Sequence, residues 1–297
     1  MRKVLIGCGI VAALLVAVLI VGGVVVSSWV KSKFPEVERI ETTQTAMRER
    51  FGDPEEFTPP RDGSLPPERL EIFVALRESL STRRDSAAVG LVRFVRQTKR
   101  TRAEDRGRME KVLDVMQMAR GGAEMTAGLL RYFGERQQMQ LDRGMGDGEY
   151  TYWLALTALG WLAWDPFANP EVEAVFQGSD MRGDAAEARE ALLRMFRQQL
   201  GNLRRDLEAV ASRTPAEERT LKLVAAELDA DRPAGAAPFR DSFPPEWAAA
   251  LEPYRGRLTA TLPSEPGAIF LDLLRSDSDG DHVRFDWQRS SGSHGEK

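Results

Sequence analysis

A chain of 297 residues, 42% hydrophobic and 29% charged, is long enough for one large domain or two small ones. Its 41 basic and 45 acidic side chains give a net charge of -4, and beyond residue 30 the balance is 39 bases against 45 acids, or -6, which is not the footprint of a nucleic-acid binder. One cysteine, Cys8, and two histidines, His282 and His294, exclude an intrachain disulfide, most zinc sites and imidazole-based catalytic triads.

Residues 4–30 contain no charged side chain, and residues 4–26 are almost wholly Val, Leu, Ile, Ala and Gly. As a helix, residues 4–26 would be roughly 34 Å long, against a bilayer core of about 30 Å. A cleaved signal peptide has an apolar core of about 7–15 residues, shorter than this one, although Val26-Ser27-Ser28 would serve as a cleavage flank. Leu5-Ile6-Gly7-Cys8 resembles a bacterial lipobox, but almost no apolar segment precedes Cys8. The expectation is an uncleaved transmembrane anchor with the lipid bilayer as its partner. Arg2 and Lys3 nearly balance Lys31, Lys33 and Arg39. Positive charge directly before the apolar run favours a cytoplasmic N-terminus, hence a single-pass inner-membrane protein with an extracytoplasmic domain.

The rest of the chain predicts an all-α, soluble multi-helix domain built from packed helical hairpins. Residues 31–66 read as a juxtamembrane helix over 36–50 and a Gly/Pro-punctuated loop. From Pro66 the pattern is helical, with Leu70, Phe73, Val74 and Leu80 on one face, and a second short helix is expected over 86–100. Residues 103–142 form the longest pattern: Met109, Val112, Met116, Ala119, Ala123, Thr126, Leu130 and Phe133 recur in steps of three and four, close to a heptad seam.

After a turn at residues 144–148, residues 150–164 are apolar on every side, too short to cross a bilayer, and predict a buried central helix ended by Asp165-Pro166. A loop-rich break at 165–183 precedes a helix over 184–213 with Leu192, Phe196, Leu200, Leu203, Leu207 and Val210 on one face. Thr214-Pro215-Ala216-Glu217 is a capping-box helix start. Residues 231–241 read as a Pro/Ala/Gly linker, followed by short helices over 247–255 and 269–274. Residues 282–287 alternate like one short C-terminal strand, the helical domain spans 67–288, and residues 289–297 are expected to be a disordered tail.

The most loaded segment is Gly144 to Trp153. Its three glycines follow a helix, which argues against a nucleotide loop, since such a loop follows a strand. Asp147 and Glu149 stand beside Tyr150, Tyr152 and Trp153, with Trp161, Trp164 and Asp165 further on. Carboxylates against aromatics fit either a ligand pocket at Tyr150, Tyr152 and Trp153, or glycan hydrolysis by Glu149 with Asp147 or Asp165. The bland alternative is a helix start in which Asp147 caps and Glu149 favours the dipole.

A second candidate is basic: residues 83–108 hold nine bases and three acids, with Arg93, Arg96 and Arg100 on one face of a helix, suited to anionic headgroups or an acidic partner. Asp277-Ser278-Asp279-Gly280-Asp281 fails as a calcium loop, because its glycine is fourth and no closing Glu follows. No metal site and no cofactor is expected. The sequence therefore favours an anchored cell-envelope module that binds a ligand or an envelope protein without catalysis. A membrane-tethered hydrolase and a cytoplasm-facing scaffold on anionic lipid are the alternatives.

Overall fold

A computed structural model describes residues 35–103, 108–165, 181–232, 235–263 and 266–273, and these are helical with turns and no strand among them. The apolar stretch at 4–30, the segment 166–180, the alternating run at 282–287 and the tail lie outside the described residues. Among the described residues no helix is long and apolar enough to cross a membrane.

Helix α1 (Pro35–Phe51) lies within a residue of its predicted bounds. A 3-10 turn (Pro54–Glu56) interrupts the loop that follows, and Gln199 and Asn202 pin it by donating to the carbonyls of Pro54 and Glu55 at 3.2 and 2.7 Å. Helix α2 (Pro67–Ala103) is continuous where two helices were expected. The serines along it bond to the helix itself: Ser79, Ser81 and Ser86 donate their hydroxyls to the carbonyls of Ala75, Glu78 and Thr82 at 2.7 to 2.9 Å.

Helix α3 (Arg108–Asp142) returns antiparallel to α2. Its expected seam is rotated in the part whose side chains are described. Thr126 is exposed, Leu130 and Phe133 are half-buried, and the buried face is Leu129, Tyr132, Arg136 and Gln140, with Gln137 beside it. Apolar spacing alone does not reveal that polar Arg136 and Gln140 share the buried face with Leu129 and Tyr132. The stripe's N-terminal half, including Met109, Val112, Met116, Ala119 and Ala123, lies outside the described side chains.

The central segment is buried from Tyr150 to Gly160, while Trp161, Leu162 and Trp164 are half-buried and Ala163 is exposed, and it is two geometries and not one helix. Helix α4 (Asp147–Leu154) continues as a π-helix (Ala155–Trp161) in which Leu162 N–H donates to the Thr157 carbonyl at 2.9 Å. It ends at Trp161, before Asp165-Pro166, and the Thr157 hydroxyl donates back to Trp153 at 2.7 Å. Helix α5 (Met181–Glu208) buries Leu192, Leu193, Phe196, Leu200, Leu203 and Leu207, and stops five residues short of the predicted end at 213.

Helix α6 (Pro215–Asp229) opens with the predicted capping box: Glu217 N–H donates to Thr214 Oγ1 at 3.2 Å and Thr214 N–H to Glu217 Oε2 at 2.8 Å. Thr214→Ala removes the cap and is expected to cost about 1 kcal/mol, read as a shift in the urea midpoint at unchanged slope. The described residues of 231–241 form no helix, as expected of a linker, but the segment is packed and not exposed throughout. Ala237, Pro238 and Phe239 are buried, and Phe239 sits in the main core. Helices α7 (Pro245–Leu251), α8 (Arg255–Ala260) and α9 (Pro266–Leu273) complete the described chain, with a 3-10 turn (Glu252–Tyr254) between α7 and α8.

The main core gathers Phe73, Tyr150, Trp153, Leu156, Phe196 and Phe239, so α4 and its π-helical extension are wrapped by α2, α5 and the segment before α7. A second cluster joins Leu80, Ala88 and Leu91 of α2, Leu129 and Tyr132 of α3, and Ala268 and Leu271 of α9. The last described helix therefore seals the α2–α3 hairpin.

Candidate functional site

The segment from Gly144 to Trp153 forms a tight junction between α3 and α4. Gly144 has φ of +68°, which closes the turn. A Cβ on Gly148 would stand 2.6 Å from the Pro54 carbonyl oxygen, so that glycine is required by chain contact and not by a phosphate. The N-cap is Gly146, with no side-chain cap bond, and Asp147 is the first helical residue; the expectation that Asp147 caps is corrected.

Asp147 and Glu149 face different surroundings, as residues two apart on a helix must. Arg69 Nε donates to Glu149 Oε1 at 2.7 Å, its Nη2 donates to Oε2 and, at 2.9 Å, to the Gly144 carbonyl. Trp153 Nε1 adds a contact to Oε1 at 3.4 Å. The hydrogen bonds that Arg69 donates to the Glu149 carboxylate raise the Arg69 pKa above its ordinary value. Asp147 lies instead toward Arg136, with its Oδ1 buried and without a hydrogen-bond partner among the described residues. Asp165 is exposed, beyond the end of the π-helix.

The three aromatic candidates are sealed. Tyr150 meets Phe73 edge-on at 5.4 Å, Tyr152 meets Phe57 and Phe196 at 5.8 and 5.6 Å, and Trp153 lies 6.5 Å from Phe73. Burial also raises the Tyr152 phenol pKa, keeping it protonated. None of the three is more than 2% exposed, so they line no open cleft beside Glu149 among the described residues. In the basic candidate, Arg93 is exposed on α2; Arg96 and Arg100 belong to the same helix, with side chains outside those described. No grouping of His, Cys, Asp and Glu suited to a metal occurs among the described residues.

The sequence reading missed a buried ionic knot. Arg77 and Arg84 of α2 are each 3% exposed, and Asp272 of α9 is 4% exposed. Arg77 Nη1 donates to both Asp272 oxygens at 2.6 and 2.7 Å and to the Tyr150 hydroxyl at 3.4 Å, while Nη2 donates to the Thr261 carbonyl at 2.9 Å. Arg84 Nη1 donates to the same carbonyl at 2.8 Å and lies 3.6 Å from Asp272 Oδ1; its Nε reaches Asp85 at 3.0 Å. Arg136 of α3 stacks over the Tyr150 ring at 4.7 Å. Burial opposes charge on Arg77, but the Asp272 carboxylate and the Tyr150 hydroxyl together outweigh it and hold the guanidinium pKa above its ordinary value.

This knot joins α2, α3, α4, α9 and the end of α8, and its donors are spent on the protein's own acceptors. Its signal was present: Arg77 and Arg84 fall seven apart on the face of Phe73 and Leu80, and Asp272 is the lone acid in an apolar run. Charged residues at such positions are buried only when paired, and a single-sequence pattern does not show the pair. Compared with protein-family models, curated proteins and solved structures, the chain matches none.

Proposed function

We propose that the chain is a single-pass, membrane-anchored helical protein whose domain binds an envelope partner or ligand and performs no chemistry. The observation that carries the choice of binding over catalysis is the Arg69–Glu149 pair. Glu149, the carboxylate singled out for catalysis, accepts from a two-pronged guanidinium and an indole, and its companion Asp147 faces away. An acid or base for glycan cleavage needs a second carboxylate across an open cleft. The anchor rests on the charge-free residues 4–30, long enough to cross a bilayer.

Both halves are testable on the full chain. Alkaline carbonate extraction should leave the protein in the membrane pellet, and a reporter enzyme active only outside the cytoplasm, fused after Lys297, should be active. Release into the carbonate supernatant overturns the anchor. A silent reporter in a chain that stays in the pellet overturns the extracytoplasmic placement and favours a cytoplasm-facing domain.

A further inference from the structure

Helix α1 fixes where the anchor meets the domain, and its register against α3 fixes which end of the α2–α3 hairpin lies there. A Cβ on Gly134 would stand 3.2 Å from Ile40, and Arg50 donates to the Leu141 carbonyl at 3.1 Å. Numbers rise together along both helices, so α1 and α3 run parallel. Helix α3 begins at Arg108 and α1 at Pro35. From the Ile40–Gly134 contact, α3 extends about 21 residues, or roughly 32 Å, past the start of α1.

Helix α2 runs antiparallel to α3: Arg143 donates to Ser79 at 3.1 Å, and Arg83 pairs with Glu135 at 3.2 Å. The C-terminal turns of α2 therefore lie at that same end. Residues 93–103 of α2 carry Arg93, Arg96, Lys99, Arg100 and Arg102 and no acid, in a chain that is acidic overall.

Only Lys31 to Phe34 separate the apolar stretch from α1, a span of at most about 17 Å. The hairpin arm outreaches that span, and five bases cannot enter hydrocarbon without a large cost. We infer that the basic end of the α2–α3 hairpin seats on the anionic headgroups of the leaflet at which the anchor emerges. The inference rests on the anchor proposed above and holds for either orientation of the domain. Seated this way, the arm is a second contact with the membrane and sets the domain's tilt above it. Basic side chains near an anionic surface gain energy within about a Debye length of it.

The test uses the full chain in lipid nanodiscs, with Cys8→Ser and a donor dye at Thr101→Cys, and an acceptor dye on the lipid headgroups. Energy transfer at low salt is expected to be about twofold higher in discs containing anionic lipid than in zwitterionic discs, and to fall to the zwitterionic level at about 1 M salt. The variant Arg93→Glu/Arg96→Glu/Arg100→Glu is expected to remain at the zwitterionic level in both. Transfer that is equal in the two lipids, or indifferent to salt, overturns the inference. If circular dichroism shows the triple variant unfolded, the salt series on the otherwise unaltered chain decides alone. Loss of the chain from zwitterionic discs on sedimentation is a separate result: it removes the anchor, and the inference with it.

Discussion

Asp272→Ala is expected to destabilise the domain by about 3–5 kcal/mol, because it strands two buried guanidinia whose shared carboxylate is gone. Arg77 and Arg84 have nowhere to take their charge, being buried on α2 beneath α9. The Thr261 carbonyl and Asp85 still accept from them, but neither replaces the two-oxygen contact to Arg77. The measurement is the denaturant midpoint at constant slope. The double variant Arg77→Met/Asp272→Leu should recover part of the loss: it exchanges the two-oxygen ion pair for apolar groups, which is often close to neutral, while Arg84 still lacks Asp272 and keeps only Asp85 and the Thr261 carbonyl. A single Asp272→Ala change that leaves the midpoint in place would show that the knot does not hold α9 down.

Phe239→Ala should cost a similar amount, about 3–5 kcal/mol for an aromatic ring removed from a core. The Phe239 ring is fully buried, 5.2 Å from Trp247 and 6.4 Å from Phe196. Its backbone sits at φ of +62°, a left-handed conformation that costs a residue with a Cβ roughly 1–2 kcal/mol. The position therefore reverses the usual order of small residues: Phe239→Gly loses the same ring but relieves the backbone, and should be the more stable of the two variants by about 1 kcal/mol. Thermal unfolding of the pair, side by side, reads that difference directly. Equal stability, or a less stable glycine variant, would contradict the strained backbone.

Where the helical pattern was carried by apolar spacing or by a cap, the sequence was readable. Leu192, Phe196, Leu200, Leu203 and Leu207 lie on the buried face they predicted, Thr214 closes its capping box, and the apolar run from Tyr150 is central. Where the pattern depended on polar residues being outside, it misled. Arg77 and Arg84 are core residues, and the seam of α3 rotates toward Arg136 and Gln140. Composition marked residues 231–241 as a loop but did not show its packing, because Pro, Ala and Gly say nothing about the one phenylalanine among them. At the candidate site, spacing showed two carboxylates beside aromatics. It could not show that Arg69, some eighty positions away, would occupy one of them.

The knot also sets an order of events during synthesis. Arg77 and its partner Asp272 are separated by 195 positions, so at about 5–20 residues per second the arginine waits roughly 10 to 40 s for its counter-charge to be made. During that interval α2 has been synthesised and its buried face has no lid, since α9 supplies both the carboxylate and the apolar residues that cover Leu80 and Leu91. The domain is thus a late closer, and a nascent chain stalled before Asp272 would carry an open, charged seam that waits for α9 to shut it.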